Sequence, residues 1–234
     1  MPPSATEKFD PSRAAEYAAQ SRIALAGYEA CHELAACLLS AMLEPGSPAT
    51  VLVAGAGGTG NEILSMARLE PHWRFVAVDP SPPMLALAME HIAAAALDGR
   101  TEVVPGHVAG LPVARAFDAA TLIGVLHHVP GPEAQLALLR DIACRLRPGA
   151  PLVVAGNCMA YASEPLLMAA WGRRWRMHGA SDEEVRAKLG KILHGADPPG
   201  SEQALADLLD AAGFAPPKRF FSSLFWSAWA TRLR

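Results

Sequence analysis

Several features are scarce in this chain, and each scarcity removes a class of function. The 234 residues include only four cysteines, Cys31, Cys37, Cys144 and Cys158, and no two form a Cys-x-x-Cys pair. Scattered this way they read as reduced core residues, not a disulfide framework, and the eight histidines are dispersed as well, so no metal-ligand spacing emerges. Charge is sparse: charged residues make up 18% of the chain and the net charge is −3, which leaves no basic footprint for nucleic acid. No apolar run approaches the ~18 residues of a membrane span, and the start, Met1 to Lys8, has no apolar signal core. The expectation is a cytoplasmic protein with no membrane partner and no metal, for which nucleic acid is not the default partner.

What is present is aliphatic. Hydrophobic residues reach 51%, enough for one domain with a substantial core. Residues 1–8 read as a disordered start and 9–234 as a single domain.

The chain is organised around Val51-Leu-Val-Ala-Gly-Ala-Gly-Gly-Thr-Gly-Asn-Glu62. Four apolar residues run into four glycines within six positions, the pattern of a buried parallel strand ending in a turn that a ligand approaches closely. A helix starts directly afterwards, with its positive end beside the turn. The next strand, Arg74 to Asp79, ends in a carboxylate that can accept from the two hydroxyls of a ribose. Together they specify a nucleoside site. Gly55 to Gly60 also satisfies the dinucleotide pattern GxGxxG, but none of Tyr17, Tyr28 or Tyr161 has a lysine four residues on, so the short-chain reductase pair is absent.

Read in order, residues 9–46 form a helical pair: a first helix from Pro11 to about Ala19 and a second from Ile23 to Leu43, stopped by Pro45-Gly46. Because this pair precedes the first strand, it reads as a lid over the ligand cleft. Strands at 51–54, 74–79, 101–104, 117–126 and 151–155 then alternate with helices at 61–69, 82–97 and 132–146, the signature of a doubly wound parallel sheet. Residues 160–197 break the rhythm as a helical insertion, its second helix opened by the capping box Ser181-Asp-Glu-Glu184. A helix at 202–212 and two apolar segments, 218–222 and 225–231, close the chain as an antiparallel hairpin. The expected fold is α/β, a Rossmann-like, mostly parallel sheet of seven strands.

With these parts in order, the chain resembles the class I S-adenosylmethionine-dependent methyltransferases from about residue 20 onward. The matching pieces are VLVAGAGGTGNE at 51–62, VAVDPSPPML at 76–85, FDAATLIGVLHHVP at 117–130, LLRDIACRLRPGAPLVVA at 138–155 and LLDAAGF at 208–214. The helical pair carrying Tyr28, the insertion and the Phe/Trp-rich tail are similar to the carboxy-S-adenosylmethionine synthase branch. The resemblance implies that S-adenosyl-L-methionine is lined by Tyr28, Gly55, Ala56, Gly57, Gly58, Asp79, Pro80, Met84, His107, Val108 and Ile123. The arginine with which that branch holds its extra carboxylate would fall near Leu189, so plain S-adenosylmethionine is expected. Two departures stand out. The family usually has an acid where Val53 stands, and often an Asp where His107 stands.

The reading is methyl transfer to O or N of a small-molecule acceptor. A carboxy-cofactor synthase of tRNA wobble-uridine modification and a non-catalytic nucleoside-binding module are the alternatives. His127 and His128, at the end of strand four, are the candidate bases, with a structural turn as the competing role. Trp171, Trp175, Trp226 and Trp229 are candidates for an acceptor pocket, for core packing, or for the interface of a homodimer. Arg173, Arg174 and Arg176 read as a solvated face or as a grip on an acidic substrate.

Overall fold

The computed structural model describes residues 11–114 and 116–234, with side chains from residue 16 onward. The start expected to be disordered, residues 1–8, lies outside the described residues. Seven strands form one sheet in the order β3-β2-β1-β4-β5-β7-β6. The strands are β1 (Thr50–Ala54), β2 (Arg74–Asp79), β3 (Thr101–Pro105), β4 (Ala119–Ile123), β5 (Pro151–Asn157), β6 (Lys218–Ser223) and β7 (Trp226–Arg232). The first five are mutually parallel, while β7 runs antiparallel between β5 and β6. This is the expected mixed α/β sheet with its closing hairpin.

Every residue of β4 and β5 is buried, which is why both strands read as almost continuous apolar runs. Side chains of alternate parity feed two cores. Val51, Val53, Phe75, Ala77, Ile123 and Val153 face α2 (Tyr28–Met42), α3 (Asn61–Leu69) and α4 (Pro82–Ala94). Leu52, Ala54, Val76, Leu122 and Val154 face α5 (Gly131–Ala143) and α8 (Glu202–Ala211).

Among the boundaries that differ from the periodicity, three have a clear backbone cause. Strand four stops at Ile123 and not at 126, because Gly124 takes φ 77° and the chain turns into a short 3-10 segment over Leu126–His128. The first helix, α1 (Pro11–Ala24), runs past Ala19, and the break falls at Gly27, whose φ of 83° no L-residue adopts readily. Helix α4 ends at Ala94, before a turn in which Ala96 has φ 56°.

The N-terminal pair divides in role. Helix α2 buries Tyr28, Cys31, Ala35, Ala36 and Leu39 against the sheet and α3, so it is core. Helix α1 packs on α4 and lays Tyr17 over the glycine turn, and it also touches α6 (Pro165–Met177). With α7 (Asp182–Gly195), α6 makes up the insertion and forms a satellite core around Trp171, Trp175, Tyr161, Val185 and Phe225. Cys31 and Cys158 are buried as expected, but Cys37 and Cys144 are exposed; all four are free thiols. Among the described residues, no helix is long and apolar enough to cross a membrane.

Candidate active site

The site lies at the carboxyl edge of the parallel strands, where β1 and β4 diverge. Gly55, Gly58 and Gly60 have φ of 78°, 100° and 67°, so the turn is built from left-handed backbone. The N–H groups of Gly55 and Ala56 both donate to Val78 O, at 2.7 and 3.1 Å, which ties the turn to the end of β2. Gly57 is needed for a different reason: a Cβ there would stand 2.5 Å from Met84 Cβ and 2.8 Å from Asp79 Oδ2. Backbone and carboxylate thus meet where only glycine fits.

Asp79 is held on both sides. Its Oδ2 accepts from Gly57 N at 3.0 Å and its Oδ1 from Ser81 N at 2.8 Å. Each oxygen keeps a further lone pair, so the half-buried carboxylate can still accept two hydroxyls. Burial pushes its pKa up, against the two N–H bonds and the nearby His107, which pull it down. His107 itself is exposed at the next loop of the edge, tied in by Gly106 N donating to Asp79 O at 2.9 Å. Val108 is buried in the second core, and Pro80 is half-buried beside Asp79.

Opposite the turn, Tyr28 and Thr59 share a hydrogen bond of 2.6 Å between their hydroxyls, and His32 Nδ1 donates to Tyr28 O at 2.7 Å. Burial keeps the His32 pKa below its usual value, which disfavours the imidazolium form. Tyr17 of α1 covers the turn, its ring lying where a Gly58 Cβ would be 2.4 Å away. Burial and the neighbouring Tyr28, Glu62 and Asp79 push its hydroxyl pKa far up. These groups line one narrow cleft with Gly55, Ala56, Gly57, Ile123 and Trp226.

Glu62, in the first turn of α3, also opens on this cleft although it is only 9% exposed. Its Oε2 accepts from Thr121 Oγ1 at 2.5 Å. Thr121 is the register partner of Val53, so the carboxylate hangs over the end of β1 on the face that Val53 occupies. Burial drives its pKa up to about 8; the Thr121 bond opposes the shift and the charge of Asp79 adds to it.

The two histidines separate. His127 is 4% exposed, wedged against Gly156 with its ring edge-on to Trp226 at 5.5 Å, and its carbonyl accepts from Asp197 N at 2.8 Å. His128 is half-buried, with its ring 4.2 Å from that of His127.

The tryptophans divide too. Trp226 lines the cleft, whereas Trp171 and Trp175 fill the satellite core and Trp229 the second main core. Three of the four are therefore core residues. The arginine cluster has a structural role as well. Arg174 donates to Ile23 O at 2.7 Å and Arg22 O at 2.9 Å, and Trp171 Nε1 donates to Ala24 O at 2.8 Å. These bonds cap the carboxyl end of α1. Arg176 pairs with Asp182 at 3.2 Å, and Leu189 packs in the satellite core.

Sequence reasoning alone does not single out Tyr17, Thr59 and Glu62 as lining residues, nor Thr121 as the partner behind Glu62. Thr121 does carry a signal, a polar residue within a strand that is otherwise apolar from Ala119 to Ile123. Glu62 carries one as well, at the end of the glycine stretch.

Residues 51–149 match a family model described as a methyltransferase domain. No curated protein sequence matches the chain. Among solved structures, mitomycin 7-O-methyltransferase is similar at 20% identity and a TM-score of 0.61, over 86% of this chain and 54% of that one. The N,N-8-amino-8-demethyl-D-riboflavin dimethyltransferase of Streptomyces davawensis aligns at 21% identity and a TM-score of 0.57, over 81% and 50%. PigF, solved with SAH, aligns at 17% and 0.64, over 95% and 59%. The chain therefore spans between half and three fifths of the length of these three proteins. Residues 51–149 thus carry the sequence pattern of a methyltransferase domain, set in the fold that these solved structures share.

Proposed function

We propose that this protein binds S-adenosylmethionine and transfers its methyl group to an oxygen or nitrogen of a small molecule. The observation that carries this reading is the junction of Gly57 and Asp79, where a backbone with no room for a Cβ meets a carboxylate with lone pairs to spare. A nucleoside with a flexible tail suits it: Asp79 accepts from the ribose hydroxyls, and the bend from Gly55 to Gly58 leaves space for the tail. Pro80, His107 and Val108 stand along the same edge on the base side, and Tyr28, Met84 and Ile123 enclose the rest. When bound, the donor supplies a sulfonium methyl that is already electrophilic, so the chain has to position, exclude water and in some cases take a proton. Of the two histidines, the half-buried His128 is the better placed to take a proton, since His127 is packed behind Trp226. The O- and N-methyltransferases among the similar structures support both acceptor atoms.

Mass spectrometry of the ligand that co-purifies with the protein tests the donor. S-adenosylmethionine or its homocysteine product is expected. The carboxylated cofactor in its place would favour the synthase branch instead. Tight binding with no turnover across a broad acceptor screen would favour a binding module.

A further inference from the structure

Glu62 lines the cleft and Asp79 stands beside it, bonded to the lining residue Gly57, and among the described residues neither has an ion-pair partner. Asp79 has a clear role on the ribose side. Glu62 has none in that reading, and its burial is costly, because a carboxylate cut off from water is tolerated only when neutral or when offset by a cation. The groups facing it from the surrounding elements are Tyr17 of α1, Tyr28, Cys31 and His32 of α2, Asp79 of β2 and Thr121 of β4; of these His32 alone can carry a positive charge, and burial disfavours that form. Val53, beside Thr121 in the register, contributes no charge either.

We infer that Glu62, seated by the Thr121 hydroxyl, receives the ammonium group on the amino-acid tail of the donor. The inference rests on the donor reading above. The Thr121 bond takes one oxygen and fixes the direction of the carboxylate. The other oxygen is left for a cation that enters beneath the Gly55–Gly58 bend. Burial holds the Glu62 pKa up at about 8 when no ligand is bound, which favours the protonated form at pH 7, and an arriving ammonium makes the carboxylate the favoured form. Binding therefore releases that proton to solvent while the N–H of the ammonium donates to the carboxylate.

Calorimetry with S-adenosylhomocysteine isolates this contact, because that ligand carries the ammonium but no sulfonium. If wild-type protein fails to bind it, the donor reading itself falls. Given wild-type binding, Glu62→Gln is expected to weaken S-adenosylhomocysteine about tenfold at pH 7, on the scale of one charge-assisted hydrogen bond. It should leave 5′-methylthioadenosine, which lacks the amino-acid tail, unchanged. Titrations in buffers of different ionisation heat should show wild type releasing most of one proton on binding S-adenosylhomocysteine. That release needs no variant and so holds the test even if Glu62→Gln folds poorly. Equal affinities for S-adenosylhomocysteine with no proton released would overturn the assignment and leave the donor reading intact. An equal loss for methylthioadenosine would overturn it too, by showing that the substitution merely disturbs the cleft.

Discussion

The glycine-turn half of the cleft and the half covered by α1 and the insertion are built by opposite means. In the first, the bonds that shape the site are local: Asp79 reaches Ser81 two residues on and Gly57 twenty-two residues back. In the second they join distant parts of the chain, Trp171 to Ala24 across 147 positions, Arg174 to Ile23 across 151 and Lys188 to Gln20 across 168. The first half is a binding surface set by backbone geometry. The second is a cover whose place depends on tertiary packing.

The strongest way to break this contrast is to remove Trp171, which is 2% exposed and touches both Tyr161 and Phe225 while capping α1. Trp171→Ala should cost about 3–5 kcal/mol in urea unfolding, the usual range for a buried aromatic truncated to alanine. Hydrogen exchange should speed up first in α1, α6 and α7, while β1 and β2 stay protected. If protection is lost evenly across the sheet, the two halves are one cooperative unit and the contrast fails.

Next in size is Asp79→Ala, which tests the local half alone. It should weaken S-adenosylhomocysteine binding by about 1.5–3 kcal/mol, the scale of hydrogen bonds to a charged group. Because the carboxylate also accepts from Gly57 and Ser81, Asp79→Asn helps to separate anchoring of the turn from ribose binding: it keeps one carbonyl acceptor and should fall between wild type and alanine. Calorimetric affinities that do not change in either variant would remove Asp79 from the site.

The contrast also explains what could be read from the sequence. The seven strands, the closing hairpin, the glycine turn and Asp79 were legible because period, glycine spacing and the acid at the strand end are local signals. The capping role of Arg174 was not legible, since a basic cluster on a helix looks the same whether it faces water or the carbonyl end of another helix. The split of the N-terminal pair was hidden for a similar reason: α1 and α2 both read as helices, and only the sheet face shows that α2 is core and α1 is cover. Strand four reads too long because Val125 and Leu126 are as apolar as the strand itself, although Gly124 already turns the chain away. Tyr17 escapes notice because its partner, Gly58, is a residue without a side chain, and nothing in a sequence marks which ring fills the space above a glycine.

The smallest effect sharpens the comparison most, because it reads the local half without any ligand. Glu62 is an acid whose folded pKa, about 8, lies above its ordinary value of 4.5, with burial as the leading cause. Between those two values the folded protein holds a proton that the unfolded chain has already lost. Stability then falls as pH rises: the contribution is complete below about pH 4.5 and is gone once pH passes the folded value. Glu62→Gln cannot titrate, so it removes this slope. Between pH 6 and pH 7 wild type should lose about 1.4 kcal/mol relative to the variant, the free energy of one proton per pH unit. Urea unfolding of both proteins at the two pH values measures it. Parallel curves would mean that Glu62 is already ionised in the folded protein, and the buried acid would then need a cation from the chain itself. A slope that is present without ligand and flattened by saturating S-adenosylhomocysteine would tie the titration to the cleft, since an ammonium beside the carboxylate brings the folded pKa back down.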